Sequence, residues 1–353
     1  MNRLIALLAL LPASALAQPG VTRPTWLRLD EAAPPLVSPD PAAPLGEEAR
    51  RIANEVPHEG TPDPGEHYPI SNEFRHDLWF DAIRDLGGVF VGVGTDQCYT
   101  LAAVQNASLL FVVDFDPLVP VIHRLYSVLV PATDTPEALV ARFAPESERA
   151  TVALLEERLA GADDLSTIVR AYRRNRDRMH RYLRRVLRNR PHGVAASWLS
   201  DPALYARVRA LISAGRVIAR NGDVTANGAL RAVGRVSRRL GVTVRVLYFS
   251  NAEQFFPYSS DFRDNVDGLP SDERTIVLRT FREPGVPYPE GDRWHYMIQP
   301  MSDMRARMHE NGYRHSRQFV RDLMQRHGRH LGQNGLSILD SDVPRRFDLT
   351  HAR

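Results

Sequence analysis

The sequence predicts an α/β protein built on a doubly wound, mostly parallel sheet, and three observations support this. Apolar runs of strand length occur at residues 89–93, 109–114 and 242–250. Helical patterns lie between them, and strands that are apolar on both faces and alternate with helices are typical of a parallel sheet covered on both sides. Glycines follow the first strand and an aspartate ends the second, which is the order of a Rossmann-type sheet.

The composition is that of a globular protein with one large α/β domain or two average ones. The chain has 353 residues, of which 43% are hydrophobic and 25% charged, and single cores stop growing at roughly 250–300 residues. The net charge of +3 is too small to indicate nucleic acid. All 45 basic residues are arginine. Without lysine, phosphate-loop ATPase and pyridoxal-phosphate chemistry are excluded.

Residues 1–17 have the pattern of a signal peptide. A positive start at Arg3 precedes an apolar run, and small residues stand at Ala15 and Ala17, which predicts export to the periplasm or the medium. An apolar N-terminus of a cytosolic protein is the alternative. No later run of about 18 apolar residues follows, so no transmembrane segment is expected in the mature chain. Cys98 is the only cysteine, so no internal disulfide is expected.

Residues 18–70 are rich in proline and in acidic or small residues, which predicts an extended leader. A short helix is expected within it at residues 46–54. The composition favours a tether ahead of the folded domain, and a lid over a substrate is the alternative.

The Rossmann-like domain is expected at residues 71–300. Helical spacing predicts one helix at residues 74–86, ended by two glycines, and another at residues 98–105. After an insertion, the later elements are expected to be strands at 216–219, 242–250 and 275–279, a helix at 226–241, and helices at 294–312 and 316–328. Residues 301–353 are expected to form C-terminal helices and an irregular tail.

A helical insertion is expected at about residues 134–209. Its segment 170–190 carries ten arginines around an apolar stripe, so one face packs and the other is basic. A basic face of this kind binds acidic lipid headgroups or nucleic acid, or is simply solvated. The acidic partner and the solvated face both remain open, whereas the export signal disfavours nucleic acid.

The turn after the first strand is the strongest candidate for a ligand site. Gly92 and Gly94 allow a ligand to approach the main chain. Asp114 ends the next strand, 20 residues past Gly94, where a carboxylate accepts hydrogen bonds from the ribose of a nucleoside. The third glycine of the dinucleotide fingerprint is absent. The alternative is that the glycines serve packing and that the aspartate caps a helix.

Polar residues also follow two later strands, at the edge of the sheet where such ligands bind. They either line a pocket or begin helices. They are Asn221, Gly222 and Asp223 after one strand, and Ser250, Asn251, Glu253 and Gln254 after the other.

Four segments in order carry a family resemblance: GGVFVGVGTDQCYT, LLFVVD, NGDVTANGALRAVGR and VRVLYFSNAEQF. Together they resemble an uncharacterised bacterial family whose core is similar to class I S-adenosylmethionine-dependent methyltransferases. The resemblance implies that Gly92 and Gly94 face the methionine part of S-adenosylmethionine and that Asp114 faces its ribose.

The same resemblance implies that Asp223 lies near the adenine and that Asn251 and Glu253 lie on the acceptor side. It implies no reaction, because the function of that family is not established. Export also removes a protein from the cytosol, where S-adenosylmethionine is made. Two hypotheses therefore remain open: an enzyme that binds S-adenosylmethionine or another nucleoside-type molecule, and a non-catalytic envelope protein with a vestigial pocket and an arginine helix for an acidic partner.

No metal site is predicted. Histidines cluster in the tail, but no carboxylate or cysteine partner has the spacing of a metal site. They are His309, His315, His327 and His330.

Overall fold

The computed structural model describes residues 35–326 and 334–339. The predicted signal peptide, the first part of the leader, His327 and His330 lie outside these residues.

Within the described residues, one sheet contains seven strands: β1 (Val89–Gly92), β2 (Leu109–Asp114), β3 (Val217–Asn221), β4 (Val244–Ser250), β5 (Ile276–Phe281), β6 (His295–Pro300) and β7 (Leu336–Ile338). Their order across the sheet is β3-β2-β1-β4-β5-β6-β7. Strands β1 to β5 pair with one another in parallel, β6 is antiparallel to β5, and β7 is parallel to β6. The predicted doubly wound, mostly parallel sheet is therefore confirmed.

The strand order places a topological switch point between β1 and β4. The chain winds outward from β1 through β2 to β3, and then returns to the other side of β1 as β4. The crevice between the carboxyl ends of two such strands is where open α/β sheets bind ligands.

Twelve α-helices surround the sheet within the described residues. They are α1 (Glu47–Ala53), α2 (Phe80–Ile83), α3 (Gln97–Gln105), α4 (Leu118–Leu129), α5 (Pro136–Ala141), α6 (Glu148–Arg158), α7 (Leu165–Leu187), α8 (Pro202–Ser213), α9 (Ala229–Arg239), α10 (Ser260–Asp267), α11 (Met301–His309) and α12 (Ser316–Arg326). Helices α5 to α8 lie between β2 and β3, so the segment predicted as a helical insertion is mainly helical.

The sheet is buried on both faces, which explains its uninterrupted apolar strands. In β1, Phe90 belongs to one core cluster, whereas Val89 and Val91 belong to the other. Side chains that alternate along a strand point to opposite faces, so each face of the sheet has its own core. Helix α7 packs within the first cluster against α4 and α5 through buried residues such as Tyr172 and Met179.

The described part of the leader is packed against the domain. Helix α1 confirms the short helix expected at residues 46–54, and Ile52 is 3% exposed in the second core cluster, together with Val37 and Val56. The tether prediction therefore fails from Pro35 onward, and residue 71 does not mark the start of packed structure. The proline-rich composition concealed a few well-spaced apolar side chains.

Three predicted helical or irregular segments differ in the structure. Residues 295–300, expected to be helical, form β6, because Tyr296 and Met297 alternate between the two core clusters. Residues 336–338 of the expected irregular tail form β7. The helix expected at residues 74–86 is reduced to a 3₁₀ turn at His76–Trp79 and the short α2. None of the described helices combines the length and apolar composition needed to span a bilayer.

We expect Ile52→Ala to lower the free energy of unfolding by about 2–5 kcal/mol, because it removes a buried side chain from a packed core. Urea denaturation of the full chain measures this. Leu36→Ala is the control, since Leu36 is 43% exposed, and it should change stability little. Equal stability of Ile52→Ala and the parent protein would contradict the packing of α1.

Candidate functional site

The turn after β1 is held from two sides at Gly94. The Gly94 amide donates to Oδ2 of Asp114 at 2.7 Å, and its carbonyl oxygen accepts from Nε2 of His123 at 3.0 Å. Gly94 has a φ of 90°, in the region that favours glycine. Burial lowers the pKa of His123 to about 4, so its ring is neutral near pH 7, and its Nδ1 accepts from the Tyr99 hydroxyl at 2.7 Å.

Gly92 has a packing role. A Cβ at this position would lie 2.6 Å from the Phe90 ring and 3.2 Å from both Cys98 Sγ and the Tyr248 ring. The space beside Gly92 is therefore filled by the core, which is the packing alternative considered from the sequence. Cys98 is buried, and burial raises the pKa of its thiol well above the usual value, so it has no nucleophilic thiolate near neutral pH.

Asp114 lies at the carboxyl end of β2 and joins it to the turn after β1. Besides Gly94, it accepts a hydrogen bond at Oδ1 from the Asp116 amide at 2.8 Å. Burial raises the pKa of Asp114 to about 6, and these two hydrogen bonds limit the rise. A carboxylate offers about four acceptor positions, so Asp114 retains capacity for further donors.

A segment that we call the strap, residues 58–73, crosses the carboxyl ends of β2 and β3. The amide of Thr61 donates to Oδ1 of Asn221 at 2.8 Å, and Nδ2 of Asn221 donates back to the Thr61 hydroxyl at 2.6 Å. Further along, the amide of Tyr68 donates to Oδ2 of Asp116 at 2.9 Å. The strap therefore covers the edge where sequence analysis predicts a nucleoside.

Glu59 of the strap occupies the bay between β3 and α9. Its carboxylate accepts from the amide of Asp223 at 2.6 Å and from the amide of Ala229 at 2.9 Å. A Cβ at Gly228 would overlap this carboxylate, and one at Gly222 would lie 2.8 Å from it. The two glycines, the Asp223 amide after β3 and the Ala229 amide at the start of α9 thus form a cradle for a carboxylate.

The side chain of Asp223 stabilises its own loop. Its Oδ1 accepts from the amide and the hydroxyl of Thr225, at 2.8 Å and 2.7 Å. The contact with adenine that is expected for Asp223 stays a prediction. In this structure the backbone amide of Asp223 donates a hydrogen bond to Glu59.

A second strap carboxylate, Glu73, is buried at the ends of β4 and β5. It accepts hydrogen bonds from the Tyr248 hydroxyl and the Thr280 hydroxyl, each at 2.7 Å, and from Ser250. His76 Nε2 lies at 3.3 Å. Burial alone would raise the pKa of Glu73, but the hydrogen bonds from His76, Ser250 and Thr280 and the charge of His76 together lower it.

Sequence reasoning missed Glu73 because its partners Tyr248 and Thr280 lie 175 and 207 residues away. One structural signal accompanies it. Ser250 has a φ of 52°, a left-handed conformation that is costly for serine and is often found at functional sites.

Glu253 is part of a buried ion pair. Its carboxylate contacts Nε of Arg279 and accepts from the Tyr258 hydroxyl at 2.6 Å. The guanidinium of Arg279 lies 4.9 Å from the centroid of the Phe319 ring. Glu253 therefore binds protein groups with both oxygens, whereas Asn251 is half-buried just before the 3₁₀ turn Ala252–Phe255. Their roles toward an acceptor stay predictions.

A cavity of about 440 Å³ is lined in part by Ser71, Asn72 and Tyr182. Ser71 and Asn72 precede the buried Glu73. Tyr182 interacts with Asp96 in the turn after β1, where burial raises the pKa of Asp96 and hydrogen bonds from Trp198 and Tyr182 oppose the rise.

The described residues contain no group of three or more histidine, cysteine, aspartate or glutamate side chains that would hold a metal ion. Of the tail histidines, His309 pairs with Asp267 at 2.7 Å, and His315 Nδ1 accepts from the Arg317 amide at 3.2 Å at the start of α12.

The family model described as "Domain of unknown function (DUF7790)" matches residues 68–340. Among solved structures, the rRNA methyltransferase aviRa from Streptomyces viridochromogenes is similar, with a TM-score of 0.31 and 14% sequence identity over 64% of this chain and 79% of that chain. None of the curated proteins matches.

We expect the pH dependence of stability to change in Asp114→Asn. The folded-state pKa of Asp114 is raised from 3.8 to about 6, so the folded protein binds more protons than the unfolded chain between these values, and stability falls as pH rises through this window. The free energy of unfolding of the parent protein, relative to Asp114→Asn, should therefore decrease by about 2 kcal/mol from pH 4 to pH 6, and by about 3 kcal/mol over the whole titration, at 1.36 kcal/mol per pKa unit. Urea denaturation at several pH values measures it, and parallel pH curves would contradict the raised pKa.

Proposed function

The chain belongs to the DUF7790 family and has a methyltransferase-like α/β fold, and from this premise we propose that it binds a nucleoside-type ligand at the carboxyl ends of β1 and β2. S-adenosylmethionine is the first candidate. The observation that carries the proposal is the hydrogen bond between Gly94 and Asp114, which joins a glycine turn to a carboxylate at the edge of the sheet where such ligands bind.

The ribose side of the ligand fits these residues. With a pKa of about 6, Asp114 is mostly ionised near pH 7 and accepts hydrogen bonds only, which suits the two ribose hydroxyls. A Cβ at Gly94 would overlap the side-chain amide of Gln97, so a ligand at this turn would meet the Gln97 side chain beside the main chain.

Bound S-adenosylmethionine would supply an electrophilic methyl group. The residues of this chain would contribute orientation, with Asp114 holding the ribose and the turn at Gly94 lying beside the methionine part. Catalysis by such a site depends on positioning donor and acceptor in line rather than on acid–base chemistry.

The adenine of the ligand would fit at the end of β3 only after the strap moves away from α9. Glu59 engages the amides of Asp223 and Ala229, and these are the donors that an adenine at the end of β3 would meet. We therefore propose that Glu59 competes with the ligand, and that ligand binding is coupled to release of the strap from α9.

We expect S-adenosylhomocysteine to bind the full chain in a calorimetric titration and Asp114→Asn to weaken this binding by about tenfold or more. Hydrogen bonds to a charged group contribute about 1.5–3 kcal/mol, and each 1.4 kcal/mol is a factor of ten. Asp81→Asn, an exposed substitution on α2, is the matched control. No binding at millimolar ligand, or equal affinity of Asp114→Asn and the control, would refute the proposal.

We expect Glu59→Ala to bind S-adenosylhomocysteine more tightly than the parent protein. Weakening the closed strap by about 1.4 kcal/mol raises the binding-competent fraction, and with it the apparent affinity, by up to about tenfold. Glu48→Ala, at an exposed position of α1, should leave the affinity unchanged. If Glu59→Ala binds no more tightly than Glu48→Ala, Glu59 does not compete for this site.

A further inference from the structure

A groove lined by arginines runs along α7, outside the proposed nucleoside site. Two cavities of about 580 and 440 Å³ adjoin there and share Phe74, Arg181 and Arg185 in their walls. The groove lies between the last turns of α7 and the segments 68–75 and 290–293. We call it the arginine groove.

Three arginines of α7 and one that directly follows its last residue line the groove in one row. They are Arg178, Arg181, Arg185 and Arg188. Their spacing of three, four and three residues keeps them on one face of the helix. At 1.5 Å per residue the row is about 15 Å long, so the groove presents extended rather than single-point positive charge.

Protein carbonyl groups orient Arg178, Arg185 and Arg188 without neutralising them. Arg178 donates to the His67 carbonyl at 3.3 Å, and Arg185 to the Gly291 carbonyl at 3.5 Å. Arg185 also lies over the Phe74 ring, 3.4 Å from its centroid, which fixes the plane of the guanidinium.

None of the four has an ion-pair partner in the described part of the chain. Other arginines of the same helix differ: Arg173 and Arg176 each pair with Glu148, at 3.6 Å. A solvated helix face explains scattered arginines. It does not explain a row that lines a concave wall and has no ion-pair partner among the described residues, although Glu290 also lines that wall.

We propose that the arginine groove binds an anion that carries two or more phosphate groups. The guanidinium group has a planar fork of donors that matches phosphate oxygens, and a row of such groups fits several phosphates along one ligand. The phosphates belong to a free oligophosphate or to a lipid headgroup, which share this chemistry. The proposal is independent of methyl transfer, although Tyr182 places the groove next to the turn that follows β1.

The test is a calorimetric titration of the full chain with inorganic phosphate, pyrophosphate and tripolyphosphate, without any S-adenosyl ligand. We expect affinity to increase with the number of phosphates and to fall as salt is added. The double variant Arg181→Gln with Arg185→Gln should weaken tripolyphosphate binding about a hundredfold, because removing each charged hydrogen-bond donor weakens binding about tenfold or more.

The matched control is Arg170→Gln with Arg174→Gln. These arginines lie on the same helix, are exposed and are also four residues apart, but neither lines the groove. The control removes the same charge and should retain the affinity. A second variant, Arg181→Lys with Arg185→Lys, keeps the charge. It should still bind tripolyphosphate more weakly than the parent protein, because lysine lacks the planar donors of the guanidinium group.

Flotation with vesicles of phosphatidylcholine, with and without cardiolipin, which carries two phosphates per molecule, distinguishes the two sources of phosphate. Binding only to the anionic vesicles, abolished in the groove variant and kept in the control, supports the groove with lipid as the source. Equal losses in groove and control variants would overturn the proposal, because they indicate unspecific attraction. Absence of binding to both free phosphates and vesicles, or binding to RNA alone, would overturn it as well.

Discussion

A carboxylate that is removed from water needs hydrogen-bond donors around it. The donors that surround Glu73 connect the strap to one edge of the sheet. Its donors come from Tyr248 and Ser250 at the end of β4 and from Thr280 in β5. Removing one partner of such a buried charge typically costs several kcal/mol. The hydrogen bonds to Glu73 therefore fix the C-terminal end of the strap over the ends of β4 and β5.

The two strap carboxylates bind protein groups at two parts of the carboxyl edge of the sheet and leave the part near Asp114 for a ligand. Glu73 fills the ends of β4 and β5, and Glu59 fills the bay beside α9. Asp114, whose side chain accepts from the amides of Gly94 and Asp116, retains acceptor capacity at this edge. Ser71 and Asn72 of the strap also line the arginine groove, so the same segment covers one polar surface and forms the wall of another.

The sequence predicted the strands of the parallel sheet well, because burial on both faces leaves an uninterrupted apolar run that few other structures require. Strand β6 was mistaken for a helix, since its residues run directly into α11 without a glycine or loop between them. The sequence placed Asp114 at the end of the strand that follows the Gly94 turn, but only the structure reveals the hydrogen bond between them. Gly92 was assigned from the glycine turn, and Glu253 from its place after a strand and from the family resemblance. Only the direction of neighbouring side chains reveals that the core packs against Gly92 and that Arg279 pairs with Glu253. The contacts of the strap were not predicted, because several of them join residues more than 150 positions apart.

The long sequence separation of the strap contacts also bears on the order in which the protein acquires its structure during synthesis. Glu73 leaves the ribosome early, and Thr280 follows 207 residues later, which takes about 10–40 s at 5–20 residues per second. Glu59 is likewise synthesised well before Asp223 and Ala229, whose amides donate hydrogen bonds to it. Throughout that interval both carboxylates stay hydrated, and helix α1 has no completed second core to join. The strap is therefore synthesised before the strands it binds, and it packs fully onto the sheet only after β5 has been made. Until then, the carboxyl edge of the sheet stays uncovered.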